Sequence, residues 1–328
     1  NFTHPVRKIF LERQLTFQQT EFGITIIEGW HERKGMACSY LIESEGEVAL
    51  IDTGTALVSD NILELIDTHY SRDSVRYIIP THVHLDHAGG AGQLMQALPA
   101  ATLYVHPYGS RHMIDPSKLQ AGASAVYGED NFKKSFGQLI PIPQERVVET
   151  VDGMQLDLNG RKLVLLDAPG HARHHLCVWD ERSKGIFTGD VFGNAYPELT
   201  TDKGHYLTPV TSPVQLDPPA WHQSIDKLLE LSPERMYLTH YGVLEHPADY
   251  RDKLHKDLDA YVELITTLPI ENRYEEVHER IKTYHREKAK EHGCNISNDE
   301  LDYLIGSDNE LCAQGLDFWM QRQEKATS

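Results

Sequence analysis

The chain has 328 residues, with 31 Lys and Arg against 49 Asp and Glu, a net charge of −18. That length allows one large domain or one domain with an appendage, and a hydrophobic fraction of 40% is enough to build a core. The acid excess opposes binding to nucleic-acid backbones, and no apolar run nears the ~18 residues of a membrane-crossing helix, so neither nucleic acid nor membrane is an expected partner.

The predicted elements fall into a β-rich first part, an α/β middle and a helical tail. Ile24–Gly29, Ala37–Ile42 and Glu47–Ile51 read as strands of a meander, the last two joined by a turn at 43–46. A sharp break follows at Asp52-Thr-Gly54. Val58–Tyr70 has helical spacing of its apolar residues. Val75–Ile79 is a short apolar strand ended by Pro80, followed by a helix over Gly90–Leu98 and a strand over Thr102–Val105. Residues 107–145 are less regular and read as an insertion with one or two short helices. Strand patterns return at Val147–Glu149, Met154–Leu158, Leu163–Leu166, Leu176–Trp179 and Gly185–Thr188. Pro197–Pro219 reads as a long loop. Asp217–Leu231 is a helix whose first turn accommodates Pro218 and Pro219, and Arg235–Leu238 is the last predicted strand. Four helical stretches follow, at 247–267, 271–291, 298–305 and 308–325, punctuated by Pro269 and Gly293. This divides the chain into a catalytic part over 20–245 and a helical extension over 246–328.

Cys38, Cys177, Cys294 and Cys312 make no CxxC pair. They read as buried or incidental thiols of a reducing compartment. The opening NFTHPVRKIFLERQ lacks the apolar stretch of a secretory leader. A cytoplasmic location is therefore expected.

The 19 histidines stand out, and their spacing decides what they do. Thr81-His-Val-His-Leu-Asp-His87 places three histidines and an aspartate directly after a buried-type strand. A first-row divalent metal needs imidazole and carboxylate groups converging on one point. A chain leaving a strand supplies this: His82 and His84 face one metal, and Asp86 and His87, one turn further, face another. Three later strands each deliver one more ligand-type side chain: His171 after Pro169-Gly170, Asp190 after Gly189, and His240 after Thr239.

At these residues the sequence resembles the metallo-β-lactamase superfamily. The resemblance rests on His82-Val-His84-Leu-Asp86-His87, Pro169-Gly-His171, Gly189-Asp190, Thr239-His240 and the upstream Asp52-Thr-Gly54. It implies an α/β fold, an αββα sandwich with its site at one edge and, here, a C-terminal helical extension. It also implies that His82, His84 and His171 hold one metal, that Asp86, His87 and His240 hold the other, and that Asp190 bridges them. Asp52 is expected behind the ligands, orienting an imidazole through its outer N–H. His175 is expected as a neighbour of the site or a substrate contact. His174 and His205 are weaker candidates. His69, His106, His112, His255, His278, His285 and His292 read as surface or packing residues.

Two divalent ions, Zn first and Fe or Mn as alternatives, lower the pKa of a bridging water and polarise a carbonyl or phosphoryl oxygen. The expected reaction is hydrolysis of an ester, thioester, lactone or phosphoester of a small molecule by metal-bound hydroxide. Asp86 is the catalytic group that orients the water or takes its proton. The aspartate at position 190 fits the non-lactamase branches of the family, and His84 stands where flavodiiron proteins carry a carboxylate. The alternative is a non-hydrolytic diiron protein that binds or senses oxygen. Tyr196, six residues after Asp190, is a candidate substrate contact, and Tyr108, Tyr127 and Tyr206 are candidate lining residues of a cleft between 107–145 and 194–216. The tail carries no cluster of ligand-type residues and reads as a structural layer, with a homodimer as the expected assembly.

Overall fold

The computed structural model describes residues 15–327, with the side chains of 125–127 and 327 outside the description. The opening segment 1–14 and the Tyr127 side chain therefore lie outside the described residues. Strands β1 (Phe17–Gln19), β2 (Ile24–Glu28), β3 (Cys38–Ser44) and β4 (Glu47–Ile51) form an antiparallel meander. Helix α1 (Ser59–His69) leads to β5 (Val75–Ile79), then α2 (Leu85–Ala88), α3 (Ala91–Ala97) and β6 (Thr102–Val105). The insertion holds three helices: α4 (Pro107–Ile114), α5 (Ser117–Tyr127) and α6 (Glu129–Phe136). Strand β7 (Val147–Glu149) completes a seven-stranded sheet in the order β1 to β7, parallel from β4 onward.

The second sheet begins with β8 (Met154–Leu158), β9 (Arg161–Asp167), β10 (Leu176–Asp180) and β11 (Gly185–Gly189). A small ribbon of β12 (Asn194–Ala195) and β13 (Leu207–Thr208) follows. Helix α7 (Pro218–Glu230) starts at Asp217, whose carboxylate accepts from Ala220 N at 3.1 Å. Then come β14 (Arg235–Leu238) and β15 (Gly242–Glu245). The order is β15-β14-β11-β10-β9-β8, so β14 is not the last strand. Positive φ at Gly242 lets the chain turn straight back, and β15 pairs antiparallel with β14.

The strands with apolar residues on both faces sit between layers, as a buried sheet requires. Tyr40, Ile42, Ala49 and Ile51 face Leu163, Leu165, Val178 and Phe187 across the sheet-on-sheet core. Their neighbours Leu41, Val48 and Leu50 face the other way, onto Ile62, Leu65, Ile66 and Leu94 of α1 and α3. On the far side, Leu166, Ile186, Met236 and Leu238 pack with Trp221, Ile225 and Leu228 of α7. The layers are therefore αββα.

The tail forms α8 (Arg251–Thr266), α9 (Arg273–His292) and α10 (Asn298–Thr327). The two stretches predicted at 298–305 and 308–325 are one helix. Gly306, the only breaker between them, costs about 1 kcal/mol in a helix interior, too little to end a packed one. The tail shares one core with the second sheet: Leu254, Leu258, Tyr261, Val277, Ile281, Cys312 and Leu316 join the α7 cluster. The predicted loop 197–219 is likewise packed, with Tyr206, Leu207, Val210 and Leu216 buried. The four cysteines are free thiols, as expected, and no described helix is long and apolar enough to cross a membrane.

Arg161 and Asp180 lock the edge of the sandwich opposite the ligands. Their side chains are both 0% exposed and pair in a fork, Nε to Oδ1 at 2.9 Å and Nη2 to Oδ2 at 2.5 Å. Arg161 Nη1 also donates to the carbonyls of Phe22 and Glu43, tying the second sheet to the first. Asp180→Ala leaves a buried guanidinium without its counter-charge. It is expected to lose about 3–5 kcal/mol of stability, read by chemical denaturation.

Candidate metal centre

The site forms where five strands end. β4 ends into Asp52, β5 into Thr81–His87, β9 into His171, β11 into Asp190 and β14 into Thr239-His240. Strand carboxyl ends lie together at one edge of such a sheet, so these side chains converge although up to 188 positions separate them in sequence. Two glycines permit the approach. A Cβ on Gly189, at φ +50°, would lie 2.6 Å from both His175 Nε2 and Thr81 Oγ1. A Cβ on Gly170, at φ +144°, would lie 2.4 Å from Trp221. Neither position admits a larger residue without displacing the site.

The seven predicted ligands come together as two groups. His82, His84, His171 and Asp190 form one, and Asp86, His87 and His240 the other, with donor atoms within 4.8 Å of one another in each group. Asp190 lies between them. Its Oδ2 is 3.8 Å from His82 Nε2 and 3.4 Å from His171 Nε2. Its Oδ1 is 3.1 Å from His87 Nε2 and 3.6 Å from His240 Nε2. Asp86 Oδ2 lies 3.3 Å from His240 Nε2 and 3.4 Å from His87 Nε2.

The outer nitrogens of four imidazoles are anchored. His82 Nδ1 faces Thr81 Oγ1 at 3.2 Å, and His87 Nδ1 faces Asp52 Oδ2 at 2.9 Å. His171 Nδ1 donates to the Val210 carbonyl at 2.8 Å and His240 Nδ1 to the Met36 carbonyl at 2.6 Å. With Nδ1 engaged on the outside, the Nε2 atoms point inward. There they meet other ring nitrogens: His82 Nε2 and His84 Nδ1 are 2.8 Å apart, and His87 and His240 Nε2 3.3 Å. The buried Asp190 Oδ1 has no directed hydrogen bond at all. Ring nitrogens facing ring nitrogens, plus a buried carboxylate oxygen among them, are what cations resolve. The mixed imidazole and carboxylate donors suit Zn, Fe and Mn ions.

Asp52 is fully buried in the left-handed region at φ +57°. Its carboxylate accepts from Thr81 N at 2.7 Å, Thr81 Oγ1 at 2.9 Å and Thr239 Oγ1 at 2.7 Å besides His87. His175 is also fully buried. Its Nε2 accepts from Asp190 N at 3.2 Å and its ring stacks on His82 at 4.8 Å, so it shapes the backbone of Asp190. His174 packs beside His84, and burial holds it at about 2.

Two of the tyrosine expectations, Tyr196 and Tyr206, need correction. Tyr196 is 1% exposed and its hydroxyl donates to Asp308 of α10, so it does not line open space. Tyr206 is 1% exposed and bonded to His285 at 2.7 Å, which packs its loop onto the tail. Tyr108 is on the surface beneath the Arg173 guanidinium. Sequence reasoning missed the segment 29–36. Glu28 holds it by accepting from Trp30 N and Gly35 N, at 2.9 and 3.0 Å. It carries His31 to Phe136 and close enough to lower the Asp86 carboxyl. Asp308 was also missed. Burial raises its carboxyl to about 7, and the Glu32 carboxylate adds to that.

Burial holds His82, His84 and His171 below the usual imidazole range, His84 at about 3. Burial also depresses His87 and His240, but the carboxylates of Asp190 and Asp86 outweigh it. His87 is raised well above its ordinary value and His240 to about 9. Burial of Asp86 and Asp190 would raise their carboxyls, yet the His87 charge pulls both down. At neutral pH the first group is thus proton-free, while the second holds protons where a metal ion would bind. Loading the second group releases those protons, so its affinity is expected to climb with pH up to about 9 and to fall toward pH 6. The first group should stay nearly flat over that window. Metal titrations against a competing chelator at stepped pH read the two slopes. Asp52→Ala frees the His87 ring, and a loss of about 10- to 100-fold in affinity at the second group is expected from the same titration.

Residues 34–240 match the family model described as the Metallo-beta-lactamase superfamily. The chain is 28% identical over 212 residues to the metallo-beta-lactamase fold-containing protein ST1585 of Sulfurisphaera tokodaii, covering 64% of this chain and 74% of that one. The solved structure of ST1585 superposes with a TM-score of 0.58 over 71% of this chain and 85% of that one, at 26% identity. A metallo-beta-lactamase family protein of Thermus thermophilus, TTHA1429, shares the fold over 93% of this chain and 94% of its own, with a TM-score of 0.63 at 19% identity. The human acyl-coenzyme A thioesterase MBLAC2 is 27% identical over 193 residues, 51% of this chain and 62% of that one. With its αββα layers and its converging histidines and aspartates, the chain belongs to the metallo-beta-lactamase superfamily.

Proposed function

We propose that the chain is a dinuclear metal-dependent hydrolase of a small acyl substrate, with thioesters as the favoured class. The observation that carries this reading is Asp190, one oxygen toward each group of histidines. Support for the thioester comes from the similarity to the human acyl-coenzyme A thioesterase. His82, His84 and His171 would hold one ion, Asp86, His87 and His240 the other, and Asp190 both. Two bound divalent ions supply Lewis acidity at the acyl oxygen and a water of lowered pKa.

The chain supplies the rest. The Asp86 side chain is 19% exposed, against 7% for Asp190, so it is the carboxylate that meets the open side of the site. As an ionised carboxylate it can accept a proton from an attacking water. Thr81, Asp52, Met36 and Val210 keep the imidazoles aimed. The segment 29–36 reaches the site through the Met36 carbonyl, which accepts from His240. The thiols are held protonated: burial raises Cys38 and Cys312 to about 12, and it raises Cys177 and the partly buried Cys294 as well.

The test uses chelator-treated protein reloaded with Zn2+, assayed on acyl-coenzyme A thioesters, aryl esters, lactones and a phosphodiester. The expected result is metal-dependent thiol release from a thioester, lost on adding chelator. Asp86→Asn is expected to lower kcat by about 10²- to 10⁴-fold, the usual span for a general base. Full rates after complete metal removal would overturn the reading. So would silence across the panel with two ions bound per chain.

A further inference from the structure

His222 on α7 and His255 on α8 meet at the seam between the sandwich and the tail. Their Nδ1 atoms are 2.5 Å apart, the ring centroids 4.8 Å apart and the planes 15° from parallel. The rings therefore meet edge to edge, close to one plane, nitrogen against nitrogen. Each outer nitrogen faces a carboxylate of the opposite helix. His255 Nε2 lies 2.9 Å from Asp226 Oδ1 of α7, and His222 Nε2 lies 3.2 Å from Asp259 Oδ1 of α8. A His and an Asp four residues apart on each helix put both on its facing side. Arg251 of α8 holds Asp226 through Nε and Nη2 at 2.8 and 2.7 Å, and its Nη1 holds Asp252 at 3.1 Å. The charged groups facing the pair are thus Asp226 from α7 and Asp259 and Arg251 from α8, with Asp252 beyond Arg251.

Proton counting fixes the charge of this arrangement. An imidazole nitrogen is held by a carboxylate only when it carries hydrogen, so both Nε2 atoms are donors. The two Nδ1 atoms would then oppose each other as lone pairs unless one proton lies between them. Three contacts hold three protons, and two neutral imidazoles carry only two. We propose that His222 and His255 share one extra proton and form a pH-sensitive latch between α7 and α8. The pair is a monocation between two carboxylates, and ionisation draws its inner hydrogen bond short. Burial holds the His222 imidazole low as a separate ring, against the Asp259 carboxylate. As half of a pair it keeps the proton, because two nitrogens bind it and two carboxylates balance it. The side chains are 28% and 17% exposed, so the proton exchanges with solvent.

The latch opens on both sides of neutrality. In the unfolded chain both rings titrate near ~6.5. In the folded chain a second extra proton would set two imidazolium charges face to face. That step lies below ~6.5, and the stability it carries is lost as pH falls through it. The shared proton leaves above ~6.5, and its stability is lost as pH rises through that step. The residue before His222 is Trp221, whose ring packs edge-on against His171 at 5.6 Å and whose Nε1–H donates to the Val191 carbonyl at 2.6 Å. The latch thus secures the tail to the helix that backs the metal centre. It contains none of the converging donors and stands or falls separately from the catalytic reading.

The test is nuclear magnetic resonance of the full chain, as purified, with isotope-labelled histidine nitrogens, from about pH 5 to about pH 9. The expected result is a strongly deshielded proton correlated with nitrogens of both rings. The pair should titrate in two steps, one on each side of ~6.5 and more than about 1 unit apart. His255→Gln assigns the signals: the shared proton disappears and His222 titrates in a single step. In parallel, the Tm of the wild type minus that of the His222→Gln, His255→Gln double variant is followed against pH. That difference is expected to peak near pH ~6.5 and to fall on both sides. Should the double variant fail to fold, the wild-type titration decides alone. Two rings that titrate independently at one pH would overturn the proposal, as would a pair carrying only two protons at neutral pH. A Tm difference that stays flat with pH would also sink it.

Discussion

Everything at the open edge of the sandwich depends on one buried carboxylate. Asp52 ends β4 in a left-handed backbone conformation and is closed off from water. A carboxylate there is costly unless donors surround it. Here they come from three other segments: Thr81 after β5, His87 on α2 and Thr239 after β14. The first two belong to the first sheet and its crossover, the third to the second sheet. One residue thereby sets the spacing of both sheet edges and the angle of a ligand ring. The fold positions the site, and the hydrogen bonds of the site hold the edges of the fold together.

The charge arrangement follows from burial. Two groups of imidazoles share Asp190, yet they sit in different fields. The His82, His84 and His171 group is dominated by desolvation and by other imidazoles, which keeps it neutral. The His87 and His240 pair faces Asp86 and Asp190, which keeps it cationic. The −18 charge of the chain has no bearing on this, since the site is enclosed and governed by neighbours a few ångströms away.

The tail is as much a part of the sandwich as α7. Its buried polar groups are paired: His285 joins Tyr206 to Tyr261, each at 2.7 Å, and Tyr261 reaches Thr208 at 3.0 Å. The half-buried Lys288 pairs with the buried Asp257 beside them. Arg273 ties α9 to α10 through Asp317 and Glu324 at 2.7 and 2.6 Å. These networks fasten the loop 194–216 that carries Tyr196 and, through Val210, the ring of His171. The tail helices thus support the metal centre without contributing any of the seven converging donors.

Much of this was legible in the sequence because it depends on residue type and short-range spacing. Apolar strands without alternation announced buried sheets, and His82-Val-His84-Leu-Asp86-His87 announced a metal-type cluster, with His171, Asp190 and His240 each set just past a strand. Other features carried no such mark. The anchors of His171 and His240 are the carbonyls of Val210 and Met36, and every residue has a carbonyl. The joining of the last helix across Gly306, the burial of Tyr196 against Asp308 and the approach of the 29–36 segment all rest on contacts between segments far apart in the chain. The sequence by itself determined which groups can bind metal and which strands deliver them. Only the tertiary structure decided which oxygen of Asp190 faces which histidines and which face of the tail packs on the second sheet, because those are properties of packing between distant segments and no local pattern encodes them.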